Sequence, residues 1–220
     1  MRLFAYAGLA NWPFEQLDPH SYSWIDADCP WDFSLFSVKG GNKSAQKHYR
    51  CLPLDEIMGF PVQDLAAEHC VLSLWSTAPM LQQQMRVLDA WGFTYKTEMV
   101  WRKVTELGKQ TFGPGYIVRG SHEPVLIATR GHPVFVAKNI RSCFDGIRRE
   151  HSRKPEEFYA LADRMLPKGR RVSLFSRANR PGWEQWGDEV GKFDVAELPQ
   201  RMKQLKKQYA DVLPLFREAA

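Results

Sequence analysis

Apolar residues in this chain fall into short blocks set apart by polar, glycine- or proline-bearing turns, and the spacing inside each block predicts an element. Residues 23–28 read as a buried strand that runs into a polar turn at 29–32, and 69–75 form a second, apolar strand. Between them, residues 54–67 carry helical periodicity that Pro61 splits or kinks, because proline lacks an N–H and clashes with the preceding turn. Residues 80–90 repeat at helical spacing and close on Trp91-Gly92, a C-cap signature. Residues 93–103 alternate as a strand does, 104–120 form a long loop, and 124–129 make another buried strand. Irregular sequence then runs to residue 154, and Pro155 opens a helix to about residue 165, as its fixed φ permits. A turn at 167–169 leads into a strand at 171–176. This alternation predicts an α/β fold with a mainly parallel sheet and helices on both faces. Ligands of such sheets bind at the carboxyl ends of the strands, so strand ends with unusual polar sequence are where chemistry is expected.

Composition narrows the class. The 220 residues are 44% hydrophobic and 25% charged, which fits one compact domain over residues 1–220 and argues against a rod or a disordered chain. Without an apolar run of about 20 residues there is no membrane-span candidate, and the first ten residues are too short and too aromatic for a signal peptide, so a cytoplasmic protein is expected. Cys29, Cys51, Cys70 and Cys143 lack the spacing of a zinc site and read as structural thiols. With 30 Lys and Arg against 25 Asp and Glu, the net charge of +5 suits a polyanionic partner, nucleic acid above all, but is modest enough to be a solvated basic face. The tail at about 197–217 has a helical apolar stripe with Lys203, Lys206 and Lys207 on other faces, which serves either docking on the domain or contact with phosphates.

Two strand ends carry candidate chemistry. Asp28-Cys29-Pro30-Trp31 ends the first strand. An exocyclic adenine amine is a poor nucleophile because its lone pair is delocalised into the ring. A carboxylate (Asp28) and a backbone carbonyl (Cys29) can hold both amine hydrogens, Pro30 can stiffen the turn, and Trp31 offers a face on which a base stacks. By itself this tetrapeptide also reads as an ordinary turn with a core tryptophan. The second strand end, residues 174–183, ends in Arg180-Pro181-Gly182-Trp183 and follows Ser152-Arg153-Lys154-Pro155 by some twenty residues.

Together these segments resemble the adenine-N6 methyltransferases named for the seventy-kilodalton subunit of the mRNA adenosine methyltransferase, over roughly residues 21–190. The tetrapeptide resembles the family's Asp-Pro-Pro-Trp. Lys47-His48-Tyr49 with Leu54-Asp55-Glu56-Ile57 resembles the next segment, residues 115–123 its substrate-side loop, and residues 152–158 with 174–190 its cofactor-binding half. The resemblance implies a Rossmann-like class I S-adenosylmethionine-dependent methyltransferase, circularly permuted so that the catalytic tetrapeptide precedes the cofactor half. It implies that Asp28, Cys29, Pro30 and Trp31 are catalytic, and that Ala27, Asp28, Ser152, Lys154, Phe175, Arg177, Asn179, Arg180, Asp188 and Glu189 bind the cofactor. Lys43, Tyr49, Arg119, Ser121, His122 and Glu123 fall to the substrate side, although His122 also reads as a surface histidine.

Cys29 stands where the family has proline, which keeps the backbone acceptor and loses the ring that fixes φ. Gly113-Pro114-Gly115 lacks the ending of a phosphate loop and reads as a turn. No metal is expected. The expected activity is DNA adenine-N6 methylation, with RNA methylation, a non-catalytic nucleic-acid-binding subunit, and cytosine-N4 or glutamine methylation as alternatives. A homodimer is open.

Overall fold

The computed structural model describes residues 12–32, 51–115, 117–150 and 152–194. Lys43, Tyr49 and the tail helix expected at about 197–217 lie outside them. Strand β1 (Tyr22–Ala27) is followed by helices α1 (Leu54–Gly59) and α2 (Val62–Leu65), strand β2 (Ala66–Trp75), a 3₁₀ turn (Ala78–Met80) and α3 (Leu81–Ala90). Then come β3 (Thr94–Val104), β4 (His122–Arg130), β5 (Cys143–Ile147), α4 (Glu156–Met165), β6 (Arg170–Leu174) and β7 (Glu184–Trp186). The strands form one seven-stranded sheet in the order β5-β3-β4-β2-β1-β6-β7. Pairing is parallel except that β4 runs antiparallel to both β2 and β3.

β1 lies between β2 and β6, and burial on both faces explains why its sequence does not alternate. Ile25 and Ala27 join Ile57, Leu65, Val87, Leu88 and Trp91, the apolar faces of α1 to α3. Trp24 joins Val71, Trp75, Trp101, Phe158, Tyr159 and Ala162, the face covered by α4. Trp24 is fully buried and donates its indole N–H to Ser73 Oγ at 3.0 Å, so its truncation to Ala is expected to cost about 3–5 kcal/mol in lost packing.

The helix expected over 54–67 is broken at Pro61. Phe60 is extended, α2 lasts four residues, and Ala66 is already the first residue of β2. Pro155 sits at the N-cap of α4, with extended backbone. β5 and β7 were not anticipated: both are short edge strands held on one side only. The parallel strands all point their carboxyl ends, and antiparallel β4 its start, toward one rim, where Asp28, Trp75, Lys103, Glu123 and Phe175 gather.

Candidate active site

The tetrapeptide leaves β1 stitched to its neighbours. Asp28 N–H donates to the Leu174 carbonyl at 3.3 Å, Trp31 N–H to the Cys29 carbonyl at 2.9 Å, and Leu52 N–H to the Pro30 carbonyl at 2.9 Å. The Trp31 indole N–H donates to the Trp75 carbonyl at 3.0 Å, and the ring is buried, so what the structure shows of Trp31 is an anchor for the turn. The Cys29 carbonyl keeps a second lone pair for an incoming donor. Burial pushes the Cys29 thiol well above its ordinary value, so this side chain stays neutral and apolar.

Four charges alternate from the tetrapeptide across the rim. Lys154 Nζ lies 2.8 Å from Asp28 Oδ1 and 3.6 Å from Glu123 Oε2, and Lys103 Nζ lies 2.5 Å from Glu123 Oε1. Lys154 is only 6% exposed, against 19% and 18% for the Asp28 and Glu123 side chains. A lysine this buried needs its partners. Besides the two carboxylates, its ammonium donates to the Ser152 carbonyl and hydroxyl, both at 3.1 Å, and lies 5.3 Å from the centre of the Trp75 ring. The two carboxylates respond differently. Burial raises the Asp28 pKa and the Lys154 charge only partly offsets it. Burial also pushes Glu123 up, but Lys154 and Lys103 together outweigh that and hold it below its ordinary value.

Ser152 and Phe175 both adopt φ of 57°, a left-handed backbone that non-glycine residues rarely hold. Both border the rim beside Asp28, and a backbone this costly persists only where the surrounding structure holds it. Gly187 explains part of how Phe175 is held. A Cβ there would lie 2.8 Å from Ser176 N and 2.9 Å from Phe175 C, so only glycine lets β7 approach, and Ser176 N–H donates to the Trp186 carbonyl at 2.9 Å.

A cavity of about 390 Å³ opens beside the tetrapeptide. Asp28, Pro30 and Ser152 border one side, Phe60, Phe175 and Trp186 give it aromatic walls, and Glu56, Arg177, Asp188 and Glu189 supply charge. A smaller recess shares Asp28, Ser152, Phe175 and Arg177 with it and reaches Lys154, Tyr159 and Arg180. Arg177 pairs with Glu189 at 2.8 Å, and Arg180 with Glu156 at 3.0 Å.

The structure thus brings together Asp28, Pro30, Ser152, Lys154, Phe175, Arg177, Arg180, Asp188 and Glu189, with Glu123 reached through Lys154. Ala27 is buried within β1. Asn179 is engaged elsewhere: its amide and backbone N–H donate to Asp194 Oδ2 and Oδ1, both at 2.7 Å. Arg119 is exposed, with its guanidinium over Phe112 and its Nε–H donated to the Gly113 carbonyl, while Ser121 and His122 sit at the start of β4 with His122 exposed. Sequence reasoning missed Glu56, Phe60, Trp186, Tyr159 and Asp26. For Asp26 a signal existed, a carboxylate inside an otherwise buried strand.

The MT-A70 family model matches residues 22–189, a span that includes every described element. A Type II methyltransferase, M.MunI, of a Mycoplasma species is 31% identical over 198 residues, which cover 80% of this chain and 81% of that protein. An MT-A70-like putative N(6)-adenosine-methyltransferase of Medicago truncatula is 29% identical, covering 86% of this chain and 29% of its own length. The human N(6)-adenosine-methyltransferase catalytic subunit METTL3 is 24% identical, covering 85% of this chain and 31% of its own.

Proposed function

Because the chain belongs to the MT-A70 family, we propose that it transfers a methyl group from S-adenosylmethionine to the N6 amine of adenine in DNA, on a Rossmann-like class I sheet whose tetrapeptide precedes the cofactor half. The observation that carries the reading is the buried Asp28–Lys154–Glu123 cluster at the edge of the large cavity. The donor set fits the methyl donor. Aromatic walls from Phe60 and Trp186 suit its adenine, Asp188 and Glu189 suit ribose hydroxyls, and Arg177, with Lys154 in the adjoining recess, suits a carboxylate. When bound, S-adenosylmethionine supplies a methyl group on a positively charged sulfur, an electrophile that needs no metal.

The chain's own residues prepare the nucleophile. Asp28 accepts one amine hydrogen and the Cys29 carbonyl the other, which draws the nitrogen lone pair out of conjugation. Burial makes Asp28 a stronger base than an ordinary aspartate, the adjacent Lys154 favours its charged form, and the carboxylate is placed to take the proton that the alkylated nitrogen gives up. Lys154 is itself held between Asp28, Glu123 and Ser152, so its position does not depend on substrate. DNA is favoured by the Type II methyltransferase, a relative aligned over most of its own length. RNA is the second reading, favoured by the names of the N(6)-adenosine relatives. The purified protein, given labelled S-adenosylmethionine with DNA and RNA oligonucleotides of matched sequence, is expected to label DNA adenine. Label in RNA alone would overturn the choice of DNA, and label in neither would overturn the reading.

A further inference from the structure

Asp26 is fully buried in the middle of the sheet and takes no part in holding the amine, yet donors from three elements converge on its carboxylate. Ser73 Oγ and Trp75 Nε1 of β2 donate to Oδ1 at 2.7 and 3.0 Å. Tyr159 of α4 and Ser173 of β6 donate to Oδ2 at 2.8 and 3.3 Å. Such a site is costly in stability. Burial pushes the Asp26 pKa up to about 6, even though Ser73, Tyr159 and the Arg180 charge all pull it down. Sign follows from this: between pH 4 and about 6 the folded chain binds more protons than the unfolded one, so ionising Asp26 lowers stability as pH rises. A residue kept for packing alone would do better as a neutral one.

What the carboxylate organises lies on the cavity side. The Tyr159 ring carries the Arg180 guanidinium stacked at 3.8 Å, and Arg180 Nε–H donates to Glu156 Oε2 at 3.0 Å on its other flank. Tyr159 and Arg180 both border the recess that holds Lys154 and Asp28. We propose that Asp26 is a positioning residue which, by fixing the Tyr159 hydroxyl, sets the ring on which Arg180 is held at the wall of the cavity read above as the methyl-donor site. An anionic acceptor orients the phenol more strongly than a neutral one, and a planar guanidinium follows the ring beneath it.

The groups that face Asp26 are Ser73 and Trp75 from β2, Ser173 from β6, Tyr159 from α4, Arg180 from the segment after β6, and Asp28 and Cys29 beyond the end of its own strand. Tyr159 and Cys29 are pushed well above their ordinary values, chiefly by burial, and Arg180 stays charged, so none of these three changes charge near pH 6. Asp28 is separated from Asp26 by the variants that follow.

The test uses the whole protein, Asp26→Asn and Tyr159→Phe. It reads the exchange protection of the Arg180 Nε–H by NMR without ligand, calorimetric affinity for S-adenosylmethionine from pH 5 to 8, and thermal unfolding. An asparagine can keep both β2 donors on its oxygen, so D26N is expected to unfold at the same or a higher temperature. It is nevertheless expected to lose Arg180 protection and to weaken S-adenosylmethionine binding about tenfold at pH 7.5, the equivalent of one weakened charge-assisted hydrogen bond. Y159F is expected to match it, and the double variant to be no worse than either. Affinity in the parent falls toward the D26N level as pH drops through about 6, while D26N stays flat. Unchanged Arg180 protection with affinity within twofold of the parent, in D26N or in Y159F, overturns the proposal. A parent protein that takes up no S-adenosylmethionine, while D26N still frees Arg180, upholds the coupling and refutes the donor reading instead.

Discussion

Opposite ends of the same strands carry ion clusters of similar composition and very different surroundings. At the amino ends, Arg170 pairs with Glu184 at 2.9 Å and with Asp18 at 2.6 Å, while Tyr22 donates to Glu184 at 2.8 Å. Those charged side chains are 40% to 63% exposed, so solvent screens them and they fasten β1, β6 and β7 together at little cost and little gain. At the carboxyl ends, the Asp28–Lys154–Glu123 cluster is nearly out of water. There desolvation rivals the attraction, and the cluster is stable only as a complete set. The same pairing of carboxylate and cation is therefore a solvent-screened fastening at one rim and, on the function proposed above, a reactive arrangement at the other, with burial separating the two.

Removing the Asp28 carboxylate should separate the rims most sharply. Asp28→Asn is expected to lower methyl transfer by about 10³-fold, within the range for a positioned general base. Equal loss from Glu184→Gln at the other rim would break the comparison. Next in size, Lys154→Met leaves Asp28 without its cation and Glu123 with Lys103 alone, and urea unfolding at pH 7 should register a loss of about 3–5 kcal/mol. Its pH dependence carries a sign. Glu123 is held below its ordinary value in the parent, so its contribution is present above about pH 4.5 and lost as pH falls. Without Lys154 both carboxyls titrate higher and shed their cost when protonated, so the deficit should shrink as pH drops from 6 to 4.

Gly187→Ala should cost about 1–3 kcal/mol, since the new methyl group meets the Phe175–Ser176 backbone and must displace β7. Cofactor affinity should fall with it, because Phe175 borders the cavity. The smallest expected effect belongs to Glu184→Gln, within about 1 kcal/mol by urea unfolding; a loss as large as that of Lys154→Met would show that exposure does not govern these clusters.

How much of this was legible in the sequence follows the range of the interactions involved. β1, β2, α3, β3, β4, α4 and β6 announce themselves through local periodicity, and Pro61 announces the break between α1 and α2. β5 and β7 do not. Cys143-Phe144-Asp145-Gly146-Ile147 buries only its last two residues, and Glu184-Gln185-Trp186 buries none fully, so neither carries a hydrophobic period. The antiparallel course of β4 is a long-range choice no local pattern encodes. Asp28 and Lys154 were each visible as candidates, through the resemblance their segments carry. Their 2.8 Å contact across 126 positions of chain was not, nor was the role of Glu123 as the second counter-ion. Asp26 was hidden by its company, a charged residue read as part of an apolar run.

The most direct measurement is mass spectrometry of nucleosides released from adenine-containing DNA after incubation with S-adenosylmethionine and either the parent protein or Asp28→Asn. The buried cluster predicts N6-methyldeoxyadenosine from the parent and about 10³-fold less from the variant. Methylated cytosine, no methylated nucleoside, or equal N6-methyldeoxyadenosine from both proteins would contradict it.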